Sequence, residues 1–464
     1  MKGLAWLSLL LTGACFVCAT SPNPPNVLFM AVDDMNDWVG PLEDDEAALT
    51  PNMDKLAASG ELFTRAYCAS PACNPSRAAI LTGFSASTTG IYLNDQPWRK
   101  NMPDVVTLPQ LFRQNGYRST GLGKIYHNRY NGDKASWDSY QSFGHGIWPK
   151  EPVDPEFPVK GQYDWGPVDA PDNAFGDYNC ATAAVEFLSQ PQQTPFFLAV
   201  GFIRPHLPFF CPPRFFELYP DDEIVHPQIN EKDWDDLPAS GVTTAQKFSG
   251  PGYNKVKALD GGMDRILKAY RACISFTDEQ VGRVLDALQT SPYADNTIVV
   301  LWSDHGFHLG EKLRFSKYTL WEESTRVLLV FRVPGVTKPG TVSTRTVSLQ
   351  DLYPTLAELC NLQNVPPVEG RSLAPLLESP NLEWPYPAVT TNFMGNHAVR
   401  SEDWRYIRYQ DGGEELYDHR SDANEWTNLA QDPQFASVIA DLSQWLPKHD
   451  APNALREEDY KRAQ

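Results

Sequence analysis

At 464 residues the chain exceeds what one ordinary hydrophobic core serves, so a large domain with a smaller companion is expected. Hydrophobic residues at 42% and charged residues at 21% are the proportions of a globular protein, and exclude a disordered or fibrous chain. A formal net charge of −19 without any run of Lys or Arg excludes a nucleic-acid surface; an anionic substrate then requires cations gathered in one pocket.

The first residues read as a targeting segment: Lys2, then an apolar stretch from Leu4 to Ala14, then small residues at Val17-Cys18-Ala19 that favour cleavage after Ala19. The protein is therefore expected to be secreted or periplasmic. A lipoprotein, with Thr12-Gly13-Ala14 before a lipidated Cys15, is a weaker match to the same stretch. No apolar run is long enough for a transmembrane segment. Beyond the leader lie Cys68, Cys73, Cys180, Cys211, Cys273 and Cys360, scattered and without metal-knuckle spacing. The only Asn-x-Ser/Thr site, Asn74-Pro75-Ser76, is blocked by its proline, which favours a bacterial over a glycosylated lysosomal protein.

Asn26 to Val32 is a buried-strand run that stops at Asp33-Asp34. Thr50-Pro51 caps and opens a helix that Gly60 closes; Leu62 to Tyr67 is a strand, and a Pro/Cys turn leads to a helix from about Ser76. A helix over Leu108 to Gln114 precedes a strand over Tyr117 to Leu122, and a helix over Asp177 to Ser189 precedes a strand over Phe196 to Phe202. A long helix from Met263 to Gln289 leads to strands at Thr297 to Trp302 and Val327 to Val333, then to a helix from Leu349 to Cys360. Stretches around 150–175 and 217–260, rich in Pro and Asp, read as surface insertions. Apolar strands alternating with amphipathic helices predict an α/β fold with a mainly parallel sheet. From about Tyr386 short alternating segments (Ala398 to Arg400, Trp404 to Tyr409, Glu415 to Asp418) predict a small antiparallel sheet, closed by a helix near Phe435 to Trp445. The expected division is a leader over 1–19, a catalytic domain over 20–385 and a C-terminal subdomain over 386–464.

Three constellations carry chemistry. Cys73-Asn74-Pro75-Ser76-Arg77 puts a cysteine at a helix start, where an anion meets free N–H groups and a guanidinium. Asp33-Asp34 and Ser303-Asp304-His305-Gly306 each end a strand, and their carboxylates suit a hard cation such as calcium or magnesium. Lys124 and His127, His206 in Arg204-Pro205-His206-Leu207-Pro208, and Lys317 are dispersed, and each alone reads as an ordinary surface or core residue.

The string from Cys73 through Leu81-Thr82-Gly83 resembles the signature of the type I sulfatases, Cys-x-Pro-Ser-Arg followed by Leu-Thr-Gly, at every fixed position. The resemblance runs from about Asn26 to the end. It takes in Phe196 to Gly201, Leu309-Gly310-Glu311, and a tail of Glu415 to Asp418 with Asn428-Leu429. Its Gly-Lys-x-x-His and Pro-His-x-Pro segments are most similar to the iduronate 2-sulfatase branch; Leu328 departs from the family, where proline is expected. The resemblance implies an alkaline-phosphatase-like α/β fold and hydrolysis of a sulfate ester, with a sulfated carbohydrate as the expected substrate. It implies that a formylglycine-generating maturation enzyme oxidises Cys73, and that the hydrated aldehyde is the nucleophile. One hydroxyl attacks sulfur and the other later expels sulfate, whereas a serine sulfate would wait for slow hydrolysis. It further implies one calcium ion held by Asp33, Asp34, Asp304 and His305 with the modified residue 73. Lys124 and His127 are assigned to nucleophile and sulfate, and His206 and Lys317 to sulfate and the leaving oxygen. With Arg77 they supply the local positive field that the net charge denies overall.

Three other readings remain open at this point: a phosphate or phosphonate ester hydrolase of the same superfamily, a choline or aryl sulfatase, and a sulfoglycan-binding protein whose Cys73 stays a thiol.

Overall fold

β1 (Asn26–Val32) is buried at every residue, because it pairs in parallel with a strand on each side. Its side chains alternate between two cores: Leu28, Met30 and Val32 enter one and Val27, Phe29 and Ala31 the other. This is why an unbroken apolar run, rather than an alternating one, marks it in the sequence. The computed structural model describes residues 24–42, 47–127, 132–154, 156–157 and 163–462. The expected leader and Cys15 lie outside the described residues.

The remaining strands are β2 (Glu61–Tyr67), β3 (Arg118–Gly123), β4 (Ser139–Gln141), β5 (Trp165–Pro167), β6 (Phe196–Phe202), β7 (Phe209–Cys211), β8 (Thr297–Ser303), β9 (Arg326–Arg332) and β10 (Thr341–Ser348), followed by β11 (Ala388–Thr391), β12 (His397–Arg400), β13 (Trp404–Arg408) and β14 (Glu414–Asp418). Eight of them form one sheet in the order β10-β2-β9-β8-β1-β6-β3-β4. Only β9 runs against its neighbours there, so the sheet is mixed and mainly parallel. Leu328, the departure from the family pattern, is buried within β9.

That topology positions the site. β8, β1, β6 and β3 are adjacent and parallel, and β2 points the same way because β9 reverses direction twice between β8 and β2. Five strands thus end at one edge of the sheet, the edge where open α/β folds bind ligands. Asp33 follows β1, Cys73 follows β2, Lys124 follows β3, His206 follows β6 and Asp304 follows β8.

Two helix starts differ from expectation. α1 (Pro51–Ser59) receives no side-chain cap from Thr50; Asp278 instead accepts from the N–H groups of Asn52 and Met53. Thr50 is engaged elsewhere, accepting from Gly40 N and donating to Asp54. α2 (Cys73–Thr82) begins at Cys73 rather than near Ser76, since Pro75 falls in its first turn, where no backbone N–H is needed. The insertion around 150–175 is more than surface: Trp165 is buried and β5 pairs with β7.

β11 to β14 form the small antiparallel sheet in sequence order. It is joined to the larger part by Thr390 and Thr391, which donate to the carbonyls of Cys68 and Ala69 just ahead of α2. It is also joined by a buried charge cluster. Arg405, fully buried, pairs with Glu322 and Glu425, while Arg400 holds Glu322 at 3.2 Å and His419 holds Glu425 at 2.8 Å. Two carboxylates matched by two guanidinium groups leave this cluster no need of a cation. Burial pushes the Glu425 carboxyl up, but Arg405 and His419 outweigh it and hold the group at about 2. A depressed carboxylate stabilises the fold above the ordinary glutamate range, and that contribution is lost as pH falls toward 2. Arg405→Ala is therefore expected to cost roughly 3–5 kcal/mol at neutral pH by denaturant titration. The difference from the parent should shrink on acidification below about pH 4.5, where the unfolded glutamate takes up its proton. A loss that did not change with pH would contradict the assignment.

Candidate active site

Cys73 is the first residue of α2, and every residue of that helix is buried. Ala72, in extended conformation, caps the helix with its carbonyl bonded to Ser76 N at 2.9 Å. Asn74 ties the helix start to the loop at 93–96: its N–H donates to Asn94 Oδ1 at 2.9 Å, and its amide donates to the carbonyls of Leu93 and Gln96, each at 2.8 Å. Ser76 Oγ donates to Asp304 O at 2.6 Å, so the helix is also bonded to the turn after β8.

The Cys73 thiol lies 3.1 Å from Lys317 Nζ, 3.4 Å from His305 Nε2 and 3.9 Å from Asp34 Oδ1, and is hydrogen-bonded by His127. Burial alone would push this thiol up; Lys124, Lys317 and His305 outweigh it and hold Cys73 well below the ordinary cysteine range. An anion at position 73 is thus strongly favoured by its surroundings.

Asp33, Asp34 and Asp304 are all buried. Asp34 sits in left-handed backbone, φ 60°, a conformation that costs a non-glycine residue about 1–3 kcal/mol. The Tyr270 hydroxyl, which donates to Asp34 O at 2.7 Å and accepts from Asn36 N at 2.9 Å, braces that turn. The Asp34 N–H in turn donates to Asp304 Oδ1 at 3.1 Å, linking the two strand ends. Burial and the Cys73 charge raise the Asp33 carboxyl, but Lys124, His206 and Arg77 together hold it far below the ordinary range. Lys124 pairs with Asp33, and Lys317 with Asp34.

Arg77 takes a different place from the one its spacing suggests. Its guanidinium donates to Asp304 Oδ2 at 2.7 Å, to Asp33 Oδ1 at 3.2 Å, and to the carbonyls of Lys124 and Ile125. It braces the carboxylates and the Lys124 turn rather than facing an anion at Cys73.

The donors suit a hard cation. Ligand atoms of Asp33, Cys73, Asp304 and His305 lie within 4.8 Å of one another, as do those of Asp33, Asp34, Cys73 and His206. The two sets share Asp33 and Cys73, and carboxylate oxygen is the commonest donor, which suits calcium or magnesium. His305 Nδ1 is bonded to Gly306 O at 3.0 Å, which turns Nε2 toward the cluster. His206 is the most open member, its side chain 18% exposed, with Nε2 4.0 Å from Asp34 Oδ2.

All ten residues singled out in the sequence therefore meet around one cysteine. Residues with no motif to announce them also meet there. His145, just ahead of the stretch around 150–175, accepts from Arg204 Nη1 at 3.1 Å and packs edge-on to the His206 ring at 5.9 Å. Tyr318 accepts from Asn94 Nδ2 at 2.9 Å; its adjacency to Lys317 was the one available signal.

Comparison with known proteins gives two family matches: Sulfatase, over residues 25–362, and the N-sulphoglucosamine sulphohydrolase C-terminal family, over 310–451. A sulfatase of Formosa agariphila is 40% identical over 95% of this chain and 92% of its own. Human (Homo sapiens) iduronate 2-sulfatase is 31% identical over 79% of this chain and 75% of its own. Among solved structures, the phosphonate monoester hydrolase of Agrobacterium radiobacter superposes with TM-score 0.75 at 22% identity, covering 90% of this chain and 94% of that one. The last likeness is one of fold.

Proposed function

Since the chain belongs to the sulfatase family and is a sulfuric ester hydrolase, we propose that it desulfates a sulfated carbohydrate through a formylglycine made from Cys73, beside one calcium ion. The observation that carries this reading is a buried cysteine at a helix start, touched by Lys317, His305 and His127 and ringed by three carboxylates. The carbohydrate substrate rests on the likeness to iduronate 2-sulfatase, which spans most of both chains.

Oxidation of Cys73 supplies an aldehyde whose hydrate offers one hydroxyl for attack on sulfur and a second for release of sulfate. Asp33, Asp34, Asp304, His305 and residue 73 would hold calcium, which would supply positive charge for the sulfate oxygens. The chain's own residues do the rest. Lys124 and Lys317 present ammonium groups to the nonbridging oxygens, and His127 holds the nucleophile's oxygen. Arg77 fixes Asp33 and Asp304 in register, and His206, at the open side, faces the departing alcohol. Because Cys73 is fully buried, the maturation enzyme must reach it before the chain has folded. The leader over 1–19 accords with export, and no helix among the described residues is long and apolar enough to cross a membrane. We assign catalysis to residues 20–385 and the smaller sheet to a subdomain over 386–464.

Two measurements test this. The mass of the Cys73 peptide should show loss of sulfur in exchange for oxygen; an intact thiol in active protein refutes the mechanism. Turnover of a panel of defined sulfated oligosaccharides, beside matched phosphate and phosphonate esters and choline and aryl sulfates, identifies the substrate. Preference for phosphorus would favour the reading that the shared fold also permits.

Calcium has a readout of its own. Chelation should abolish activity, and adding calcium back should raise thermal stability by about 2.7 kcal/mol at a hundredfold excess over Kd. Zinc should restore less, because the donors are mainly carboxylates. Asp304→Asn should weaken the calcium-dependent shift, and an unchanged shift would refute the site.

A further inference from the structure

Beside Lys317 stand three aromatic residues from three distant segments, Phe248, Tyr318 and Phe393. All three occupy left-handed backbone, with φ of 54°, 70° and 61°. That conformation is uncommon for any non-glycine residue, and a bulky side chain there is a true outlier that the surrounding structure must enforce.

The enforcement is visible. Tyr318 N donates to Pro71 O at 3.0 Å, and its hydroxyl reaches Asn74 through Asn94, so it is tied to the chain on both sides of Cys73. Asn392 Nδ2 donates to Tyr318 O at 2.7 Å and sets Phe393 alongside. Arg314, fully buried, donates to Phe248 O at 3.2 Å, to Ala245 O at 2.8 Å and to Lys317 O, coupling the Phe248 segment to the lysine that touches Cys73. Gly250, at φ 68°, lies so close to Phe315 that a Cβ would sit 1.8 Å from its carbonyl oxygen.

The rings form one surface. Tyr318 and Phe393 are nearly parallel, 6° apart with centroids at 6.3 Å, and Phe248 lies 5.0 Å from Tyr318 and is 50% exposed. Lys247 Nζ stands 4.2 Å from the Phe393 centroid and 5.5 Å from that of Phe248. Among the described residues no carboxylate pairs with it, in a chain with 58 acidic and 39 basic residues. Tyr318 and Phe393 are half-buried behind Phe248. A partly exposed aromatic wall beside a nucleophile is a platform for a ring, and a cation held over that wall is placed for an anion.

We propose that Phe248, Tyr318 and Phe393 form the platform for the sugar ring that carries the scissile sulfate, and that Lys247 receives a second anionic group of the saccharide. This rests on the sulfatase reading for the scissile group alone. The second anion is a carboxylate or another sulfate, which share the chemistry Lys247 recognises.

The test uses matured, calcium-loaded protein and three disaccharides with the same scissile sulfate: one bearing a carboxylate, one a second sulfate, one no further charge. Lys247→Ala should lower kcat/KM about tenfold for the anionic substrates and leave the neutral one unchanged. The substrate that loses most identifies the second group. Phe393→Ala should raise KM for all three by about tenfold. Competitive inhibition by inorganic sulfate should be unchanged in both variants, since neither residue touches the sulfate pocket. The proposal fails if Lys247→Ala affects the three substrates equally, if Phe393→Ala leaves KM unchanged, or if sulfate inhibition weakens in step with KM. Should no saccharide be turned over, the functional reading fails instead, and calorimetric binding of the same three compounds still reads the wall. Weaker binding by the Phe393→Ala protein then supports it, and equal binding overturns it.

Discussion

Cys73→Ala protein should fold, bind sulfate esters and turn over none. Removing the covalent nucleophile of a hydrolase typically costs on the order of 10⁶-fold in kcat. The fold should survive, because the change deletes one sulfur atom from a buried site and leaves Lys317 paired with Asp34. A stability loss near ~1 kcal/mol is the ordinary size for such a substitution. Thermal unfolding of the variant, beside a rate assay with a sulfated sugar, separates lost chemistry from a lost fold. Cys73→Ser is the sharper case. A serine hydroxyl can accept the sulfuryl group from the ester, but it has no second hydroxyl with which to expel it. The serine variant should therefore stop after one turnover and carry a sulfate on the residue 73 peptide. Rapid multiple turnover by that variant is incompatible with a formylglycine mechanism.

Much of this arrangement is legible from the residues, for identifiable reasons. β1, β6 and β8 announce themselves because strands buried on both faces need unbroken apolar runs, and β1 and β8 end directly at Asp33 and Asp304. The motif at Cys73 is contiguous, so one stretch of chain displays it whole. The direction of β9 does not show, since an edge-to-edge reversal leaves no mark on a strand that is apolar either way. β10 is hidden for the opposite reason: Thr341–Ser348 is largely polar and only partly buried, without the apolar pattern of a core strand. The true partner of Arg77 is hidden too. Its spacing from Cys73 fixes which helix face it shares, but Asp33 and Asp304 reach it only because β1 and β8 are neighbours in the sheet. The aromatic wall is the extreme case, assembled from positions 248, 318 and 393 by Arg314, Asn94 and Asn392. No local pattern links those positions.

His206 should reveal itself through the leaving group. The segment carrying it is held rigidly: Asp177 accepts from the N–H groups of Ile203 and Arg204 at 2.7 and 2.9 Å, and Arg204 Nη1 donates to His206 O at 3.1 Å. Pro205 and Pro208 restrict the backbone on either side. The ring is oriented as well, because Nδ1 lies 2.6 Å from Leu207 O, and a carbonyl can only accept. Nδ1 therefore carries its hydrogen, and Nε2 is the atom that faces the cluster from its open side. When the ring is the imidazolium, Nε2 also carries a hydrogen, which can pass to the bridging oxygen as the S–O bond breaks and leave the neutral Nδ1–H ring; the gain grows with the basicity of the departing alcohol. His206→Ala should slow a sugar sulfate by ~10²–10⁴-fold and a nitrophenyl sulfate far less. Lys317→Ala is the control: that ammonium lies 3.1 Å from the Cys73 sulfur and pairs with Asp34, so its loss should slow both substrates together. Equal slowing of both substrates by His206→Ala would make His206 a sulfate-binding group only. Proton delivery would then fall to Lys317 or to water.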